Sequence, residues 1–142
     1  METNTPPIRV LIADDHAAIR RGLHRLLETE PAFQVIGMAS DGPQAVELAR
    51  QLKPDVVVLD VKMPLLSGID AGRSILATAP ATKLLMISAG DDKALVEECM
   101  AMGASGYLAK ECSLAQVPAA IRQIVAGSHY LCLISNPGNN TT

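Results

Sequence analysis

A length of 142 residues suits one domain, and 49% hydrophobic against 19% charged residues leaves enough apolar side chain for a sizeable core. A formal net charge of −3 and only three aromatic residues, Phe33, Tyr107 and Tyr130, argue against a nucleic-acid surface and against a base-stacking platform. No apolar run reaches the ~18 residues of a membrane span, and the polar opening over residues 1–7 is not a signal peptide. The three cysteines, Cys99, Cys112 and Cys132, lack ligand-like spacing, as in a reduced compartment. The expectation is a cytoplasmic domain with no membrane partner.

Short apolar runs alternate with helical spacing five times. Ile8–Ala13 precedes Ile19, Leu23, Leu26 and Leu27; Gln34–Ala39 precedes Ala45, Leu48, Ala49 and Leu52. Asp55–Leu59 leads to Ile69, Gly72 and Leu76, and Lys83–Ser88 to Leu95, Cys99 and Met102. Ser105–Ala109 comes last, before Leu114, Val117, Ile121 and Ile124. Each run is bounded by Asp, Gly, Pro or Ser, as strands are. Pro43 suits the first turn of the second helix, and Pro54 pushes Lys53 out of the α region and ends it. Ser113 and Gln116 have capping-box spacing for the last helix. Pro118 falls about one turn inside, where it removes a donor, so a shifted or strained start is expected. The methionines at 38, 63, 86, 100 and 102 read as core or near-core filling. Asp91 and Asp92 read as helix-start residues that favour the macrodipole.

Five β-α repeats imply a parallel sheet covered by helices on both faces, and a doubly wound order follows from right-handed crossovers. The regular part spans residues 6–127. Beyond Gly127 the periodicity is lost, and residues 128–142 read as a tail or the start of a linker.

In such sheets functional groups gather at the carboxyl ends of the strands. The first strand delivers Asp14, Asp15 and His16; the third, Asp60; the fourth, Ser88; the fifth, Lys110. The second delivers Ser40 and Asp41, which a sheet edge would hold farther away. Clustered carboxylates repel one another unless a cation sits among them. Mg2+ suits oxygen donors and phosphate alike, whereas zinc is disfavoured for want of a Cys or His pair. With Asp14, Asp15 and Asp60 around the ion, one carboxylate can act as a nucleophile towards a phosphoryl group. Lys110 and the Ser88 hydroxyl would neutralise that group's oxygens. Neither His16 nor His24 is assigned chemistry.

The motifs "ADDH", "LDVKMPLLSG", "SAG" and "GYLAK", in that order, resemble the receiver domain of two-component response regulators. "DDHAAIRRGL" is most similar to the NarL/FixJ (LuxR-type) subfamily. The resemblance implies a flavodoxin-like fold with five parallel strands in the order 2-1-3-4-5. It further implies that Asp60 takes a phosphoryl group from a sensor histidine kinase, and that the Lys62 backbone carbonyl joins Asp14, Asp15 and Asp60 as a metal ligand. Ser88 and Lys110 would bind phosphoryl oxygens, and Ser88 and Tyr107 would form the switch. A homodimer through the fourth helix, fifth strand and fifth helix, or neighbouring helices, is a further implication.

Two departures stand out. Glu111 follows Lys110 where many receivers have proline, and Lys62 adds a cation beside Asp60. Fifteen residues after Gly127 are too few for a helix-turn-helix domain, so the expectation is a receiver cut from a longer transcription regulator, with DNA bound only through that further domain. A stand-alone receiver acting by protein contact is the alternative. An aspartyl-phosphate hydrolase is the rival enzyme, but it would carry an aspartate where Lys62 stands, so no enzymatic turnover is expected.

Overall fold

The computed structural model describes residues 5–90 and 92–133. Its elements alternate as the sequence predicts: β1 (Ile8–Ala13), α1 (Ala17–Glu28), β2 (Phe33–Ala39), α2 (Gly42–Leu52), β3 (Val56–Asp60), α3 (Gly68–Thr78), β4 (Lys83–Ser88), α4 (Lys93–Ala101), β5 (Gly106–Ala109), α5 (Val117–Val125) and β6 (Tyr130–Cys132). All strand pairings are parallel, in the order β2-β1-β3-β4-β5-β6.

Strand alternation sorts the core into two layers. Leu11, Val57, Leu59, Leu84, Met86 and Tyr107 face α2, α3 and α4, where Ala45, Ala49, Ile75 and Cys99 meet them. Val10, Ile12, Val56, Val58, Leu85, Ile87 and Leu108 face α1 and α5, against Leu23, Leu27, Ile121 and Ile124. All five residues of β3 are buried, including its terminal acid. Strands covered on both faces need apolar side chains at every position, which explains the solid run Val56–Leu59. Met38 departs from the expected core filling. It lies on the edge strand β2 with 39% of its surface exposed, whereas Met86 is fully buried.

Helix ends follow local chemistry. Asp41 accepts the Gln44 N–H at 2.8 Å and caps α2, and Lys53 ends it at φ 51°. Ser67 caps α3 through the Asp70 N–H. Asp92 caps α4 through Ala94, while Asp91 lies outside the described residues. The start of α5 is shifted, as Pro118 demands. A 3-10 turn over Leu114–Gln116 comes first, which moves Pro118 into the first helical turn where no donor is needed. The reciprocal capping box does not form: Ser113 caps the 3-10 turn through Ala115, and the Gln116 side chain accepts from the Tyr130 hydroxyl instead.

The sixth strand is the addition that loss of periodicity concealed. Gly127, at φ 103°, reverses the chain after α5: Ser128 N–H donates to the Gln123 carbonyl at 3.1 Å and Gly127 N–H to Ile124 at 3.0 Å. This is a Schellman closure, which requires the left-handed conformation that glycine adopts without strain. The chain then runs beside β5, pairing Tyr107 with Leu131 and burying Tyr130 and Cys132. Tyr130–Cys132 therefore belong to the sheet. Tyr107 is not at its edge.

Candidate functional site: an acidic rim around Asp60

The carboxyl ends of β1, β3 and β5 bring their terminal residues together. Asp14 follows β1, held by its own N–H to the Ala39 carbonyl at 3.1 Å and by Arg20 Nη1 donating to its carbonyl at 2.7 Å. Asp60 ends β3, where Val61 N–H donates to the Ile87 carbonyl at 2.9 Å. Lys110 leaves β5 with its N–H on the Ser88 carbonyl at 2.7 Å. Backbone pairing thus sets the rim before any side chain does. Across it, Lys110 Nζ stands 2.9 Å from Asp14 Oδ2 and 3.4 Å from Asp60 Oδ2.

Both acids are deeply placed: Asp14 is 0% and Asp60 2% exposed. Burial, with the Asp14 charge second, pushes the Asp60 carboxyl up to about 6, although Lys110 and the Lys62 N–H (3.3 Å from Oδ1) pull the other way. For Lys110, burial favours the neutral amine. The two carboxylates outweigh it and hold the ammonium above its ordinary range. One cation facing two buried acids leaves an excess of negative charge, to which Asp15 adds from a position one-third exposed.

His16 joins the cluster, a role the sequence reading did not assign. Its Nδ1 is 3.1 Å from Asp14 Oδ1 and 3.1 Å from Asp15 Oδ1, and its N–H donates to Asp14 Oδ1 at 2.8 Å. The signal was its adjacency to two acids at a strand end. Ligating atoms of Asp14, Asp15, His16 and Asp60 all lie within 4.8 Å of one another. Asp14 Oδ2, fully buried, is paired with Lys110 Nζ at 2.9 Å. Three carboxylates facing one ammonium leave uncompensated negative charge, and such an oxygen-rich cluster fits a hard divalent cation.

Ser88 and Tyr107 adjoin this cluster through a shared loop. Ser88 is 1% exposed, and its Oγ accepts the Gly90 N–H at 3.4 Å. Tyr107 is fully buried and donates its hydroxyl to the Gly90 carbonyl. Ser40 and Asp41 stay away, engaged with Gln44 at the start of α2. Opposite them the loop after Asp60 is tightly drawn. Gly68 N–H donates to the Val61 carbonyl at 2.7 Å, and a Cβ on Gly68 would lie 2.0 Å from the Asp60 carbonyl oxygen. Leu66 N–H donates to the Pro64 carbonyl at 2.8 Å across Leu65, whose φ is 72° and whose surface is 84% exposed. Every peptide bond in the described residues is trans, Lys110–Glu111 included.

A doubly wound parallel sheet with a buried acid, a lysine and an acidic pair at one rim defines a phosphoryl-accepting signalling module. The response regulator receiver domain model matches residues 10–122. The chain belongs to that family and has the function of a phospho-accepting receiver. It is 40% identical over 124 residues to the response regulator GacA of Pseudomonas aeruginosa, covering 87% of this chain and 58% of that protein. A LuxR-family two-component response regulator from Aurantimonas sp. SI85-9A1 superposes with a TM-score of 0.84 at 32% identity, covering 91% of each chain. The CheX-CheY-BeF3-Mg2+ complex from Borrelia burgdorferi matches with a TM-score of 0.78 at 30% identity, over 83% of this chain and 89% of that one. The chain spans little more than half the length of the curated relatives it matches. Among the described residues, no helix is long and apolar enough to cross a membrane.

Proposed function

We propose that this is a cytoplasmic protein whose phospho-acceptor is Asp60, and that a sensor histidine kinase supplies the phosphoryl group. The observation that carries this reading is the Asp60 carboxylate, buried at the end of β3 with Lys110 Nζ 3.4 Å away, the same amine standing 2.9 Å from Asp14. In the transfer, an Asp60 oxygen forms the new O–P bond as the P–N bond of phosphohistidine breaks and the imidazole leaves with its electron pair. Lys110 is held charged by its acids and so can shift onto the phosphoryl oxygens as negative charge accumulates there. Mg2+, held by Asp14, Asp15, Asp60 and the Lys62 carbonyl, would supply charge neutralisation of those oxygens.

The output follows from the loop that Ser88 and Tyr107 share. If Ser88 Oγ turns from the Gly90 N–H to a phosphoryl oxygen, the loop loses a side-chain anchor, and the Tyr107 hydroxyl bond to Gly90 must readjust. That readjustment would be read at α4, β5 and α5. Because β6 covers the outer side of β5, a second copy of the chain would meet the helices here or neighbouring ones rather than β5 itself. Transcriptional output would run through a DNA-binding domain outside this chain.

The test is incubation with acetyl phosphate and Mg2+ followed by intact mass measurement. One phosphate adduct in the wild type, absent in Asp60→Asn and without Mg2+, supports the reading. Continuous release of inorganic phosphate over many turnovers, or an adduct that survives Asp60→Asn, contradicts it.

A further inference from the structure

The three thiols are not equivalent. Cys99, on α4, packs into one core layer, while Cys112 and Cys132 pack into the other, so the sheet separates Cys99 from both. Cys132 is fully buried on β6 opposite Leu108 of β5, and neighbouring strands lie about 4.8 Å apart. Cys112 stands just past the end of β5. Its N–H donates to the Ala109 carbonyl at 2.8 Å and closes a turn over residues 109–112. That turn folds Cys112, half-buried, back onto the layer that holds Leu108 and Cys132. Tyr130 marks where they meet. It lies two residues before Cys132, on the same face of β6, and its hydroxyl donates to Gln116 Oε1. Burial pushes that hydroxyl up to about 12, with the Cys132 thiol adding to the effect and the Cys112 thiol after it. Both sulfurs therefore lie around one phenol oxygen.

We infer that Cys112 and Cys132 form a disulfide site, at which a peroxide joins them and clasps the turn that carries Lys110 to β6. Cys112 is the more exposed of the two, so its thiolate attacks first. It takes one oxygen of hydrogen peroxide, the O–O bond breaks, and the other oxygen leaves as hydroxide and becomes water. The Cys132 sulfur then attacks the resulting sulfenic acid. The S–S bond forms as the S–O bond breaks, and that oxygen leaves as a second water. Two thiols have lost two electrons to one peroxide, giving one disulfide and two waters. A bridge of this kind is transient in a reduced compartment, because thiols reverse it. Lys110 lies inside the turn that Cys112 closes. The consequence for signalling rests on the reading of Asp60 as phospho-acceptor: a clasped turn restrains the shift of Lys110 onto the phosphoryl oxygens, and phosphorylation slows.

The experiment treats the folded full chain with hydrogen peroxide, then alkylates it in denaturant with a maleimide for intact mass and non-reducing peptide mapping. The expected product lacks two hydrogens, takes one maleimide, at Cys99, and yields a linked Cys112–Cys132 peptide pair that dithiothreitol separates. The link is retained in Cys99→Ala and absent in Cys112→Ser and Cys132→Ala. Three maleimides after oxidation, a Cys112 sulfinic acid beside an alkylated Cys132, or a link that involves Cys99 or a second chain overturns the site. In the second measurement, oxidised wild type gains its acetyl phosphate adduct at least about threefold more slowly than the reduced chain, while Cys112→Ser is unaffected by peroxide. Equal rates in a chain shown to be bridged overturn the coupling to Lys110. A reduced chain that takes no adduct overturns the reading of Asp60 instead, and the peptide map still decides the disulfide.

Discussion

At the scale of single residues, Asp60 is held in a place that favours its neutral form. Its carboxyl is raised to about 6 from an ordinary value near 3.8, chiefly by burial. An acid with a raised folded-state pKa holds its proton in the native state where the unfolded chain has already lost it. Stability therefore falls as pH rises between about 4 and 6, by about 3 kcal/mol, and is flat above. Asp60→Asn removes the ionisation. In chelator, we expect this variant to melt above the wild type at pH 7.5, with the advantage shrinking as pH is lowered from 6 to 4. Calorimetric melting across that range checks it, and a variant less stable than wild type at pH 7.5 would contradict the assignment of strain to the ionised acid. Gly68 carries a second constraint, because any Cβ would strike the Asp60 carbonyl oxygen. Gly68→Ala should cost about 2 kcal/mol or more, since the obstacle is backbone and cannot turn aside; chemical denaturation with an unchanged midpoint would remove this account of the loop.

At the scale of elements, the strands act as mounts whose pairing aims the functional residues. The register of β3 against β4 aligns Asp60 with Ile87, and that of β4 against β5 aligns Ser88 with Ala109, so acid, hydroxyl and lysine emerge at one level. β6 completes the layer on the far side of β5 and buries Tyr130 and Cys132 beside the strand that holds Tyr107. A chain ending at Gly127 would expose both layers along β5 and unpair its outer edge. The loss of Tyr130 and Cys132 burial alone is worth about 3 kcal/mol, so the truncated chain should melt roughly 10 °C lower. An unchanged melting temperature would show that β6 contributes nothing to the sheet. The α4 helix carries Cys99, fully buried, with a thiol pushed up to about 11 by burial and by Glu98. It should resist alkylation at pH 8 until the chain unfolds, and reaction of native Cys99 at the rate of a free thiol would contradict the packing of α4 on β5.

At the scale of the whole molecule, most of the architecture was legible because its elements have strong periodicity and sharp ends. Solid apolar strands, Pro43, Pro54 and the acids at strand ends announce a doubly wound sheet, and Asp14, Asp60 and Lys110 meet where that sheet requires. What stayed hidden has physical causes. β6 is three residues long, too short for alternation to register, and it is created by the Schellman turn at Gly127. Met38 has the side chain of a core residue but sits on an edge strand. The shared use of Gln116 by Tyr130 removed a capping box that spacing alone suggested. His16 depends on a side-chain direction that no sequence pattern reports. The proposed function requires that Asp60, not a neighbouring acid, carries the phosphoryl group. The direct measurement is borohydride reduction of the protein treated with acetyl phosphate and Mg2+, followed by peptide mapping. The predicted result is homoserine at position 60 alone; homoserine at Asp14 or Asp15 with Asp60 unmodified would contradict it.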